Sequence, residues 1–346
     1  YGASREVVRR LDELDTGDLA TALVEGLPAE PGSRDSFLLQ PVPNYFFQRD
    51  PQLILGRRVI VSSMATDARE REALLARIIF DHHPDLSPET NPAAYEGLFE
   101  IDRPGQAGSR RAQHYPYPTL EGGDVLVPSP EIVLIGVSER TNRAGVEELA
   151  EWLRREETSF RHLLLVEMPA RRSYMHLDTV FTFIDHGTCL AYLPVIQPGG
   201  PEAARVYHVD LTAKELAFGV RDSLPAALAQ QGLEVELVPC GGSRDLLSQQ
   251  REQWTDGANA FAVAPGVIVL YRRNRLTLDE LDRRGWRVLA EEDVVSGEAE
   301  LTGAGKTVVS VGGHELSRAR GGPRCMTMPL ARKPLDSSGA GAGGGG

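Results

Sequence analysis

The chain has 346 residues, 41% hydrophobic and 25% charged, which is enough apolar side chain to bury one large core or two ordinary ones. A net charge of −12 with no compensating basic stripe argues against nucleic acid or an anionic membrane surface as partner. Three widely spaced cysteines (Cys189, Cys240 and Cys325) exclude a disulfide framework or a zinc cluster and suit a reducing, cytoplasmic setting. No apolar run reaches the length of a membrane span and no signal peptide opens the chain. The first residue is Tyr1 and the first segment reads as mid-helix, so an upstream segment is expected.

Residues 5–26 carry apolar positions at helical spacing, as one or two short helices, and Gly26, Pro28, Pro31 and Gly32 break the pattern. A unit then begins that recurs along the chain. Asp50-Pro51 opens a strand over 52–55, Gly56 turns it, and a second strand follows at 58–61. An amphipathic helix is predicted over 67–82, with Leu74, Leu75, Ile78 and Ile79 on its apolar face.

The second copy opens at Glu121-Gly-Gly-Asp, turns through Pro-Ser-Pro, continues at Ile132 to Ile135 and leads to a helix at 143–156. The third reads His176-Leu-Asp-Thr-Val-Phe-Thr as one strand, with His176 and Asp178 two apart and therefore on the same face. Asp185-His186-Gly187 turns it into a strand at 189–192. The fourth opens at Gly257-Ala258-Asn259, turns at Pro265-Gly266, continues to Tyr271, and is followed by helix at 277–284 and a strand at 286–289.

Repetition of strand, turn, strand and helix predicts radial packing about an axis, with the polar residue that opens each unit converging there. Asp50, Glu121 and Asp178 would then meet, and converging carboxylates repel unless a cation lies between them. A metal would want further His, Asp or Glu ligands beside these, whereas the donor fork of a guanidinium matches carboxylates two at a time. Near the end of the chain, Gly321-Gly-Pro-Arg-Cys325 forms a tight turn with a lone thiol, taken as lying at the end of a strand. Alone, that thiol is buried filler or a nucleophile; beside a cation site Cys325 becomes the nucleophile and His176 its proton carrier. Two look-alikes are rejected. Gly303-Ala-Gly-Lys-Thr307 lacks the first glycine of a phosphate loop, and Asp81-His-His83 reads as a solvated helix end.

These motifs, in this order, resemble the arginine deiminase family of the guanidino-group-modifying pentein superfamily. The carriers are Phe-Phe-Gln-Arg-Asp-Pro at 46–51, Glu-Gly-Gly-Asp at 121–124, Ser-Glu-Arg-Thr at 138–141 and Met-His-Leu-Asp-Thr-Val-Phe-Thr at 175–182. Trp-Thr-Asp-Gly-Ala-Asn at 254–259 and Gly-Gly-Pro-Arg-Cys-Met at 321–326 complete the set. The resemblance implies a pentein-type α/β propeller and hydrolysis of L-arginine to L-citrulline and ammonia, with no cofactor and no metal. It implies Cys325 as nucleophile, His176 as general acid and base with Glu121 beside it, and Asp50 and Asp178 gripping the guanidinium nitrogens. Phe47 would pack against the substrate, and Asn44, Arg69, Arg140 and Arg320 would hold its α-carboxylate or close the site.

Three departures stand out. Gln48 replaces the family's Thr, Ala319 replaces a Gly between two arginines, and the family's first strand-helix segment has no counterpart, which leaves the first blade incomplete. The expected organisation is a helical remnant over 1–34, a catalytic propeller domain over 35–335 and a disordered Gly-rich tail over 336–346. Alternatives are a methylarginine hydrolase, an amidinotransferase, or a truncated, inactive arginine-binding homologue. Arg69 and Arg140 favour a substrate with a free α-carboxylate, hence not agmatine. Homo-oligomerisation is left open.

Overall fold

The computed structural model describes residues 4–30, 32, 36–87, 97–100, 117–156, 158–301, 305–313 and 315–332. The hairpin read from sequence is half of a larger repeat, because each unit adds a third strand parallel to the second strand of its hairpin. In the first unit Gln52–Leu55 pairs antiparallel with Arg58–Val61, which pairs parallel with Gly97–Glu100. The second joins Val125–Leu126, Ile132–Val137 and His162–Glu167 in the same sense. The third uses Phe181–Asp185, Thr188–Ala191 and Glu236–Pro239. The fourth uses Phe261–Ala264, Val267–Tyr271 and Thr307–Val311, with Arg287–Ala290 outermost. Helices Glu70–His82, Arg143–Arg155, Leu224–Gln230 and Arg275–Arg283 lie in the crossovers that parallel pairing requires. Strands Arg205–Asp210 and Gly219–Arg221 leave the third crossover and extend the second sheet.

The cores are the seams between successive sheets. Along Ile132–Val137, Ile132 and Leu134 face a cluster with the third unit, including Phe181 and Cys189, while Val133 and Ile135 face one with Leu53 and Ile60 of the first. Period-two alternation thus sends one strand into two cores, which is why its sequence is apolar on both faces. A third seam joins Ile184, Leu190 and Val238 to Ile268, Leu270 and Trp286 of the fourth unit. Among the described residues, no sheet lies between the fourth unit and the first. Residues 321–332 connect them instead: Gly321 O accepts from Tyr271 Oη (2.9 Å), Cys325 O from Arg49 N (2.9 Å), and Arg332 Nη1 donates to Ile54 O (2.6 Å).

Three expectations need correction. Residues 176–179 are not strand: His176 precedes a 3-10 turn, Leu177–Thr179, and the strand starts at Phe181. Gly122–Asp124 forms the matching turn in the second unit. Cys325 lies in a turn, with its N–H on Gly322 O (3.0 Å), and not at a strand end. The helix Glu70–His82 buries Ala73, Ala76 and Phe80, leaving Ile78 and Ile79 exposed, because the two alanines let its axis approach the first sheet. The two helices Arg5–Asp12 and Thr16–Glu25 cover the predicted 5–26, and the tail from 333 onward is outside the described residues. No helix among those residues is long and apolar enough to cross a membrane.

Candidate active site

The polar residues that open the four units meet. His176 Nε2 lies 2.8 Å from Glu121 Oε2, and its Nδ1 lies 3.6 Å from Asp50 Oδ1. Neither 3-10 turn could bring these groups together with a bulkier residue at 123: a Cβ there would fall 2.7 Å from the His176 ring and 2.9 Å from Asp50 Oδ1. Glu121 is oriented by two bonds, Ala65 N–H to its Oε1 (3.0 Å) and its own N–H to Thr141 Oγ1 (3.1 Å). Asp124, unnoticed as a site residue in the sequence, supports the same place by accepting from Leu177 N (2.8 Å) and Ser138 Oγ (2.7 Å). Burial pushes the Asp124 carboxyl up to about 7, against the pull of His176 and its donors.

The second half of the site surrounds the thiol. Cys325 Sγ lies 4.0 Å from Asp178 Oδ2 and 3.4 Å from Asn259 Oδ1. Asp178 Oδ2 is also ion-paired with Arg324 Nη1. Arg324 stands beside the nucleophile candidate in the sequence, and Asn259 opens the fourth unit. Reading that opening as a position equivalent to Asp50, Glu121 and Asp178 would have singled out Asn259.

The remaining candidates fall in different surroundings. Phe47 is buried, stacked on Phe46 (4.1 Å between centroids) and packed against Gly321. Asn44 is half-buried one turn away, its carbonyl accepting from Phe47 N (2.9 Å). Arg69 is inside the carboxylate cluster: its Nη1 reaches Asp50 Oδ2 at 2.8 Å and Glu121 Oε2 at 3.8 Å, while Nε and Nη2 bind Glu72. Arg140 follows Ser138, whose Oγ accepts its N–H (3.0 Å), and its Nε and Nη1 are buried without a hydrogen-bond partner. Arg320 takes a left-handed backbone (φ 64°), stacks on Trp254 (3.9 Å) and donates to Trp254 O (3.1 Å) and Ser173 O (3.0 Å). The positive φ falls on Arg320, so Ala319 in the preceding 3-10 turn carries no backbone strain.

Electrostatics separate the two halves. Burial disfavours a charged His176, but Asp50, the Glu121 hydrogen bond and Asp124 outweigh it and raise the imidazole to about 10. Burial also opposes ionisation of Asp50, yet His176 and Arg69 hold it below the ordinary carboxylate range. Burial, then Asp178 and Asp50, push the Cys325 thiol well above the usual range. The resting state therefore pairs an imidazolium at His176 and a carboxylate at Asp50 with a thiol at Cys325. Asp50 and Asp178 each keep one buried oxygen, Oδ1, without a hydrogen-bond partner.

Asp50, Glu121 and His176 offer three ligand atoms within 4.8 Å, which is close enough for a metal. A metal there would have to displace the imidazolium proton and compete with the Arg69 guanidinium, so the donor set fits an organic cation better.

A ring of hairpin-plus-parallel-strand units with carboxylates, an imidazolium and a thiol at its axis defines an α/β propeller of the pentein type, with no sheet between its fourth and first units among the described residues. The chain belongs to the arginine deiminase family, whose sequence profile matches residues 7–332. It is 38% identical over 301 residues to the arginine deiminase of Listeria welshimeri, covering 86% of this chain and 64% of that protein. It is 34% identical over 307 residues to that of Clostridium perfringens, covering 86% and 63%. Among solved structures, unliganded AgrE matches with a TM-score of 0.53 at 13% identity, over 86% of this chain and 32% of that one. The product-bound N-terminal domain of ArgZ, an arginine dihydrolase from the ornithine-ammonia cycle in cyanobacteria, matches at 0.50 and 16% identity, over 85% and 79%. At such identities the structural likeness concerns the fold.

Proposed function

We propose that this chain hydrolyses the guanidinium group of free L-arginine to L-citrulline and ammonia through a covalent intermediate on Cys325. The observation that carries the reading is the pair of buried oxygens without a hydrogen-bond partner: Asp50 Oδ1, 3.6 Å from His176 Nδ1, and Asp178 Oδ1, whose sister oxygen lies 4.0 Å from Cys325 Sγ. An unsatisfied buried carboxylate oxygen is costly, and two of them suit the N–H groups of a planar cation.

As that cation binds, its charge offsets Asp50 and Asp178, and the Cys325 proton leaves to solvent. The thiolate adds to the guanidinium carbon, breaking the C=N π bond. His176, already protonated, donates to the departing nitrogen, the C–N bond breaks, and ammonia leaves a thiouronium-type adduct. The imidazole, now neutral, takes a proton from water, and the hydroxide adds to the same carbon. The C–S bond then breaks, and the departing thiolate takes up the hydroxyl proton, leaving the neutral ureido product and the Cys325 thiol. Glu121 keeps His176 oriented throughout and, with Asp50, favours its protonated form before and after the transfer. The unpartnered Nε and Nη1 of Arg140, with Arg320 and Asn44, supply donors for the α-carboxylate of the substrate, and Phe47 closes the apolar side. Three free, buried cysteines suit a cytoplasmic setting.

The chain spans 64% of the length of the Listeria relative, so the assay must come from the protein itself. Ammonia and citrulline should form from arginine, and Cys325→Ala should abolish both while arginine still binds by calorimetry. Undiminished turnover in Cys325→Ala would sink the mechanism. Release of methylamine from methylarginine in preference to ammonia from arginine would move the substrate.

A further inference from the structure

Three of the four units open on a carboxylate; the fourth opens on an amide, and that amide faces the nucleophile. Asn259 is wholly buried and touches three groups. Its Oδ1 accepts the backbone N–H of Cys325 (3.2 Å) and lies 3.4 Å from Cys325 Sγ, and its Nδ2 donates to Asp178 O (3.0 Å). A backbone N–H can only donate and a carbonyl can only accept, so these two bonds fix which end of the amide faces the thiol. It is the acceptor end.

We propose that Asn259 is the positioning residue of the nucleophile, taking the S–H of Cys325 on its side-chain oxygen and so holding the sulfur as an aimed, unreactive thiol until a cation arrives. The inference deepens the hydrolase reading and rests on it for the meaning of Cys325. Packing on the other side of the amide supports it: a Cβ at residue 322 would fall 2.5 Å from Asn259 Oδ1 and 2.7 Å from its Cβ, so glycine lets the cysteine turn lie directly on the amide. Asn259 is itself anchored, with its N–H on Asp256 O (3.0 Å) and the neighbouring Ala258 O accepting from Thr182 Oγ1 (2.6 Å).

A thiolate would meet a carbonyl dipole of the wrong sign at Asn259 Oδ1, in addition to the charges around it. Those are Asp178, Asp50 and Asp256, which oppose ionisation, with Arg49 and Arg320 as cations and Tyr271 as a neutral phenol. A carboxylate at 259 would add another anion and lose the donor to Asp178 O. An amide is the side chain that satisfies both backbone partners without adding charge.

The test is the pH profile of Cys325 alkylation by iodoacetamide, read by peptide mass on the full chain, alongside kcat and KM for arginine. Asn259→Ala should move the alkylation midpoint to lower pH, raising the neutral-pH rate severalfold and at most on the order of tenfold, while kcat falls and KM changes little. Asn259→Asp should move the midpoint the other way. General loosening would move both in one direction, and that result, or no movement in either, would overturn the proposal. Asn259→Ser, which keeps an oxygen near the sulfur, should fall between wild type and Ala and stands in should Ala fail to fold. Midpoints that shift as expected in a protein with no arginine turnover would retire the hydrolase reading and keep the positioning role. Turnover with unmoved midpoints would do the reverse.

Discussion

Replacing Glu121 with Gln keeps a hydrogen-bond acceptor beside His176 and removes its charge. The bond it alters is 2.8 Å long and wholly buried, where a charge-assisted hydrogen bond contributes about 1.5–3 kcal/mol. Since about 1.4 kcal/mol is tenfold in proton affinity, the imidazolium, which titrates at about 10, should in the variant titrate near about 8 or 9. The sign for stability follows from linkage. A histidine raised above its ordinary value stabilises the fold fully below about 6.5 and loses that contribution as pH rises through its folded value. The variant should therefore be about 1.5–3 kcal/mol less stable at pH 6, and the gap should close above about pH 10. Imidazole proton NMR across that range gives the titration, and urea denaturation at the two pH values gives the gap. An unmoved titration, or a gap that persists undiminished at high pH, would refute the assignment of Glu121 as the partner that keeps His176 charged.

Gly123→Ala should push the His176 ring off Asp50 and Glu121; displacing a catalytic group by an ångström costs about a hundredfold in kcat, and a loss under threefold would show the turn can yield. Arg324→Met leaves the Asp178 carboxylate without its ion pair and should cost about 3–5 kcal/mol by denaturation, whereas a cost below about 1 kcal/mol would mean water replaces it. Ile78→Lys should fall within about 0.5 kcal/mol of wild type and Ala76→Leu should cost about 1–3 kcal/mol, the reverse of what an apolar face at 74, 75, 78 and 79 requires.

The repeat was legible because each unit carries its own turn chemistry and its own apolar run, and convergence of the opening residues follows from radial packing alone. The parallel third strands were harder to read. Within His162–Glu167, residues 163–166 are an unbroken apolar stretch buried on both faces, a pattern that does not distinguish strand from helix until its neighbours are known. The conformation of 176–179 was misread for a related reason. Alternation of His176 and Asp178 with apolar neighbours imitates strand periodicity, while the 3-10 turn is set by a local side-chain bond, Thr179 Oγ1 to His176 O (2.6 Å), and a tertiary one, Leu177 N to Asp124 Oδ1 (2.8 Å). Arg69 shows the limit most clearly. Its place in the sequence suits a ligand for a distant carboxylate, but the helix it precedes aims it at Asp50 and Glu72.

That arrangement explains how the site can be both charged and ready. Asp50 commits Oδ2 to Arg69 and Asp178 commits Oδ2 to Arg324, so each of these buried side chains already has a resident guanidinium bound to one of its oxygens. Each Oδ1 is left over. On the proposed reading a substrate guanidinium would dock on these without either side chain having to change rotamer, which is the preorganisation that makes electrostatic stabilisation effective. Burial, and then these same two side chains, oppose ionisation of the Cys325 thiol. On that reading the binding of a cation and the activation of Cys325 are one event: a ligand of the same shape without the charge would leave the sulfur inert.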